Sequence, residues 1–178
     1  RTAHDVRRGL SLAGCRELVN YSFVDTQSER DFAPNEVPIA VLNPIASQMS
    51  VMRTTLLGGL INALSYNLNR KATRVRVFEI GRVYRRDQQQ SEGQLQVGGV
   101  DQPNRIGGLA YGPNDDEQWA VPMRDVDFFD VRGDIESLLV GARFVAEPPP
   151  ALHPGRSAMI EIDGRRVRFE FELLSNAD

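Results

Sequence analysis

Leu56, Leu57, Leu60, Ile61, Leu64 and Leu68 recur at the spacing of one helical face, and a strand-like run from Val75 to Tyr84 follows at once. The stripe predicts an amphipathic helix over Thr55–Asn69, about four turns at 3.6 residues per turn. A helix apolar on one side must bury that side against another element. Leu56, Leu60 and Leu64 can face the module's own sheet, while Leu57, Ile61 and Leu68 lie partly round the helix. Gly58-Gly59 inside the helix costs about 1 kcal/mol per glycine relative to alanine, a penalty that makes sense if another backbone packs closely there. Arg70 and Lys71 close the helix where cations favour its dipole.

Other elements can be read on either side. Thr2 and Asp5 form a capping-box pattern before Val6, Leu10 and Ala13, with Gly14 as the stop. Glu17–Val24 alternates as a strand. Residues 25–38 are polar, contain two prolines and read as a loop, followed by a short strand over 39–42. Gly98–Val100 and Ile106–Tyr111 read as strands, and Asn114–Glu117 as an acidic turn. Phe128–Val131 reads as a strand, and Gly133-Asp134 as the cap of a short helix over Ile135–Leu139. A strand over Val140–Ala146 precedes Pro148-Pro149-Pro150. Asp163-Gly164 is a two-residue hairpin turn between Ser157–Ile162 and Arg165–Phe169. Strands joined by short turns, with helices packed on them, define an α+β fold built on a mainly antiparallel sheet.

The 178 residues suit a single module. A formal charge of −3 gives no global attraction to nucleic acid or an anionic membrane. No run approaches the ~20 apolar residues of a membrane span. A single cysteine, Cys15, leaves no internal disulfide and suits a reducing compartment. The chain begins at Arg1 without an initiator methionine, so we expect a piece of a longer polypeptide.

Candidate chemistry is sparse. His4 and His153 lack second ligands at metal spacing, so no metal site is expected. Cys15 sits among apolar residues as an inert thiol. Asp115-Asp116-Glu117 reads as a solvated turn. Asp127, Asp130 and Asp134 are explained by strand ends and a helix cap. Arg74, Arg76, Arg82, Arg85 and Arg86 form a basic cluster that suits either RNA phosphate or salt bridges at a sheet edge.

Several blocks, in order, carry a resemblance. Gly14-Cys-Arg-Glu17-Leu-Val-Asn-Tyr21-Ser-Phe-Val24 resembles the entry to the synthetase-like core of the bacterial phenylalanyl-tRNA synthetase β subunit. Asn43-Pro44 with Met49-Ser-Val-Met-Arg-Thr54 resembles the opening of its first class II motif. Asn67-x-Asn69-Arg70 with Phe78-Glu-Ile-Gly-Arg-Val-Tyr84 resembles the second. Asp127–Glu136 is similar to its strand-to-helix corner, and His153–Ala158 with Asp163-Gly164 to its final hairpin. The blocks span roughly residues 10–167, and Arg168–Asp178 departs from the pattern.

The resemblance implies a class II aminoacyl-tRNA synthetase-like fold, in one module over residues 1–178. It implies a cytoplasmic, heterotetrameric ligase that joins phenylalanine to its tRNA with ATP and Mg²⁺, in which this subunit pairs with a catalytic α subunit. Arg85 in Tyr84-Arg85-Arg86-Asp87 stands where the family pattern of catalytic members places an arginine on the ATP α-phosphate. Gln88–Gln94 then lacks the polar and aromatic residues that hold adenine. Gly98-Gly99 and Gly107-Gly108 come too early for a third motif and lack its Glu-Arg. The expectation is a catalytically silent structural module, with no catalytic residue and no cofactor of its own. The resemblance puts the subunit interface on Met52, Arg53, Leu57, Gly58, Gly59, Ile61 and Leu68. It leaves Arg82, Arg85 and Arg86 as an RNA or salt-bridge cluster. The alternatives are a stand-alone class II-like ATP-dependent adenylating domain and an RNA-binding module. A fragment deprived of an apolar partner is expected to self-associate.

Overall fold

The computed structural model describes residues 2–94, 96–145, 159–162 and 165–167. Helix α1 spans Ala3–Leu12. The Thr2 hydroxyl accepts the Asp5 amide at 3.3 Å and the Asp5 carboxylate accepts the Thr2 amide at 2.9 Å, the reciprocal cap its sequence predicts. The chain then divides an expected single strand into two short ones. Strand β1 is Arg16–Glu17 and β2 is Phe23–Val24. The stretch between them bonds to two different partners. The Leu18 amide donates to the Phe78 carbonyl at 2.7 Å, and the Ser22 carbonyl accepts from the Arg53 amide at 3.0 Å.

Residues 25–38, expected as a loop, contain helix α2, Thr26–Phe32, capped by the Asp25 carboxylate on the Gln27 amide at 2.6 Å. Its buried side chain is a charged one, Glu29, so no apolar periodicity marks it. The strand expected over 39–42 is a single bridge, Ala40 to Val51. Strand β3, Val51–Met52, pairs antiparallel with β2. Helix α3 is Leu57–Leu68 and strand β4 is Val75–Arg82, each slightly shorter than the sequence suggests. Strands β5, Arg85–Arg86, and β6, Val100–Asp101, form a small antiparallel pair. Strand β7 is Asn104–Tyr111.

Helix α4, Phe128–Leu138, replaces the strand and short helix expected there. Asp127, not Gly133-Asp134, is the cap. Its carboxylate accepts the amides of Phe129 and Asp130, and Asp130 returns the bond to the Asp127 amide at 2.8 Å. Val131, Ile135 and Leu138 then fall at helical spacing on the buried side. Strands β8, Arg143–Val145, β9, Met159–Ile162, and β10, Arg165–Val167, form an antiparallel sheet in the order β10-β9-β8. Ile162 stands opposite Arg165, so the strands flank the expected Asp163-Gly164 turn, which lies outside the described residues.

The central sheet has the order β1-β4-β7. β4 and β7 are antiparallel with Val75 opposite Tyr111 and Arg82 opposite Asn104, whereas β1 joins β4 in parallel. Alternation along β4 sends its residues to two separate cores. Val75 and Val77, with Leu109, pack against Leu56, Leu60 and Leu64 of α3. Phe78 packs on the other side against Val6 and Leu10 of α1 and Leu138 of α4.

Candidate functional site

Where β4 meets the β3–α3 corner, the apolar core gives way to charge. Arg53 and Glu79 are both almost fully buried, and Arg53 Nη1 donates to Glu79 Oε1 at 2.6 Å. Asn20 Nδ2 donates to the other oxygen, Oε2, at 2.7 Å. Arg53 Nε donates to the Arg82 carbonyl at 2.9 Å, and the Arg53 carbonyl accepts from the Tyr84 amide at 2.9 Å. A buried ion pair is tolerated only when its geometry is good and its remaining polar atoms are satisfied, as they are here. One residue on, Glu29 of α2 accepts the Thr54 amide at 2.8 Å and the Thr54 hydroxyl. The Arg53-Thr54 corner is thereby clamped by one carboxylate from the sheet and another from α2.

This network fixes the segment between β1 and β2. Asn20 points in to Glu79 and Leu18 packs on the α3 core. The alternate residues point out: Val19 is 93%, Tyr21 73% and Phe23 40% exposed. Phe23 is the cross-strand neighbour of Met52.

The residues singled out from the sequence separate by depth. Met52, Gly59, Ile61 and Leu68 are half-buried, while Arg53, Leu57 and Gly58 are buried within the chain. The close backbone approach expected at the glycine pair is replaced by side chains of the same chain. A Cβ on Gly58 would stand 2.6 Å from Ser28 Oγ of α2, and one on Gly59 2.8 Å from Asn20 Nδ2. Arg85 forms a 3.1 Å ion pair with Glu36, whereas Arg82 and Arg86 present exposed side chains. Asn20, Glu29 and Glu79 were not singled out from the sequence. Glu79 did carry a signal, because it shares the face of Val75 and Val77, where a carboxylate must find a partner. So did Asn20, on the inward side of its alternating segment. Glu29 carried none.

On the opposite face of the sheet lies a cavity of about 40 Å³ lined by Leu10, Cys15, Arg76, Phe78, Ile106 and Leu138 among others. Ligand pockets run to roughly 300–1,000 Å³, so this space is far too small for a nucleotide. Burial pushes the Cys15 thiol above its ordinary value, which keeps it protonated and unreactive. Asp134 pairs with Arg76, yet burial raises its pKa. Asp130 is lowered to about 2, chiefly by hydrogen bonds from Arg124 at 2.6 Å to each oxygen. The three aspartates of this region are thus a helix cap and two ion-pair partners. Among the described residues no group of three His, Cys, Asp or Glu side chains converges to hold a metal ion.

The architecture is that of the class II aminoacyl-tRNA synthetases. Pyrrolysyl-tRNA synthetase from Desulfitobacterium hafniense shares it at a TM-score of 0.53 and 12% identity, over 93% of this chain and 57% of that one. The phenylalanyl tRNA synthetase beta chain CLM domain matches residues 1–173, and the chain belongs to that family. It is 57% identical over 175 residues to the phenylalanine–tRNA ligase beta subunit of Ralstonia nicotianae and 58% identical over 175 residues to that of Burkholderia lata. In each case 97% of this chain is covered, and the chain spans 22% of the relative's length.

Proposed function

We propose that this chain is a catalytically silent structural module of a phenylalanine–tRNA ligase β subunit, supporting a catalytic α subunit in tRNA aminoacylation. The observation that carries the reading is the fate of Arg85. At the position where the family pattern of catalytic members places an ATP-binding arginine, its guanidinium is held by Glu36 of the same chain at 3.1 Å. The catalytic step needs free, preorganised cationic groups where negative charge develops. A carboxylate already on that guanidinium works against a phosphate. Helices α3 on one side and α1 and α4 on the other cover the central sheet with apolar side chains. ATP, Mg²⁺, phenylalanine and tRNA then belong to the whole cytoplasmic enzyme, with the chemistry on the α subunit.

Docking of the α subunit falls on the outward row Val19, Tyr21 and Phe23. Met52, Gly59, Ile61 and Leu68 contribute their exposed portions, and Arg53, Leu57 and Gly58 shape the surface from beneath. Co-purification of the full-length β subunit with the α subunit tests this. Tyr21→Asp with Phe23→Asp should abolish capture while leaving the β subunit folded, and undiminished capture would remove the assignment. Calorimetry with ATP and Mg²⁺ tests the silence: no binding is expected from the β subunit alone. Micromolar binding weakened by Arg85→Ala would instead make this an adenylating domain.

A further inference from the structure

The loop between β7 and α4 carries the most exposed large apolar side chain among the described residues. Trp119 is 98% exposed, Met123 73% and Val121 50%. The base of this loop is not loose. The Asn114 amide donates to the Arg124 carbonyl at 2.9 Å, and the Val126 amide to the Gly112 carbonyl at 2.9 Å. Arg124 is clasped bidentately by Asp130, and Arg74 Nε donates to the Pro113 carbonyl at 3.1 Å. At the tip, Ala120 holds a φ of 63°, a left-handed conformation unfavourable for any residue with a Cβ. Backbone strain beside an exposed tryptophan on a pinned loop is the arrangement of a contact device. Tryptophan dominates the energetics of protein interfaces when it enters a desolvated pocket, and methionine adapts to an irregular one.

The charge around the tip selects the partner. Asp115, Asp116 and Glu117 precede Trp119, and Asp116 is 86% exposed even while it contacts Arg74. An acidic collar repels nucleic acid and an anionic membrane, and matches a protein pocket rimmed by lysine. More than three quarters of a relative's length lies outside the matched region. A covalently linked surface acts at millimolar effective concentration, ahead of any separate partner. We propose that the Trp119 loop inserts into a basic-rimmed apolar pocket on the part of the β polypeptide outside residues 1–178. This rests on family membership alone and stands whether or not the module is catalytically silent.

Hydrogen exchange on the full-length β subunit, without the α subunit, tests it. Amides over 115–124 should exchange at least about tenfold more slowly in the wild type than in Trp119→Ser, with α4 unchanged as the internal control. Glu117→Lys should speed the same amides. Carbodiimide coupling should join Glu117 or Asp115 to a lysine of the β subunit beyond this chain. Equal rates in wild type and Trp119→Ser would overturn the proposal, as would the absence of any such cross-link. Protection or cross-links that arise only after the α subunit is added would overturn it too, and would give the loop to that subunit.

Discussion

Two neighbouring residues of β4 are buried on opposite faces of the β1-β4-β7 sheet, by different physics. Phe78 and Glu79 are adjacent on β4, both nearly inaccessible, and point to opposite sides. Phe78 enters an apolar cluster that any side chain of similar volume could fill. Glu79 enters a site with Arg53 and Asn20 that no apolar residue could reproduce. The Phe78 site contributes stability that is indifferent to direction. The Glu79 site gives the Asn20 segment and the Arg53-Thr54 corner a fixed geometry, and the outward row of Val19, Tyr21 and Phe23 depends on it.

Substitutions on the two faces should separate these roles. Glu79→Ala should cost about 3–5 kcal/mol, because it strands a buried guanidinium. Phe78→Ala should cost about 3–5 kcal/mol for a different reason, the cavity it leaves. Urea denaturation measures both. If Glu79→Ala costs under about 1 kcal/mol, the Arg53–Glu79 site is not a structural clamp and the contrast fails. A double substitution sharpens it. Arg53→Met with Glu79→Leu should recover about half or more of the Glu79→Ala loss, since an apolar pair of similar volume often replaces a buried ion pair without penalty. The same double substitution should still weaken α-subunit capture, because Asn20 loses its acceptor.

A smaller effect probes how the Phe78 site is assembled. Asp127→Ala should cost about 1 kcal/mol in thermal or urea unfolding, the typical worth of an N-cap. A negligible cost would return α4 to the short helix that begins near Asp134.

The smallest effect is read by titrating carboxyl carbons in NMR. Asp130 should titrate near pH 2. Its folded value lies below the ordinary 3.8, so its stabilising contribution is complete above that value and is lost as pH falls through about 2. Asp134, one turn further along α4, should titrate above 3.8 because burial penalises its charge. Its sign is opposite: the fold binds that proton more readily than the unfolded chain, so acidification through its range favours folding. Coincident titrations would mean that Arg124 and Arg76 hold their partners alike.

These contrasts also explain what could be read in advance. Helix α3 and strands β4 and β7 were legible because their apolar periods are long and their burial is apolar. Helix α1 was legible through its cap and its two buried positions, Val6 and Leu10. Helix α2 was not, because its inward group is Glu29. Phe128–Val131 misled because aromatic and β-branched residues favour strands locally, and the Asp127–Asp130 cap overrode that preference. The glycine pair suggested the close approach of another backbone, whereas the atoms that approach it belong to the side chains of Ser28, Phe32 and Asn20 of the same chain. The exposed Trp119 had no periodic context from which depth could be inferred.

The parallel pairing of β1 with β4 has a consequence in time. Arg16 lies opposite Val77, so the first strand of the chain cannot take its place until the chain is complete through β4. Helix α1 waits longer still, because its core neighbour Leu138 stands near the end of α4. During synthesis the antiparallel β4–β7 pair, close in sequence, can form before α1 has its Leu138 neighbour. Within this module, the residues made first are therefore among the last to settle. For that interval the apolar side of α1 lacks the Phe78 and Leu138 side chains that cover it in the finished fold.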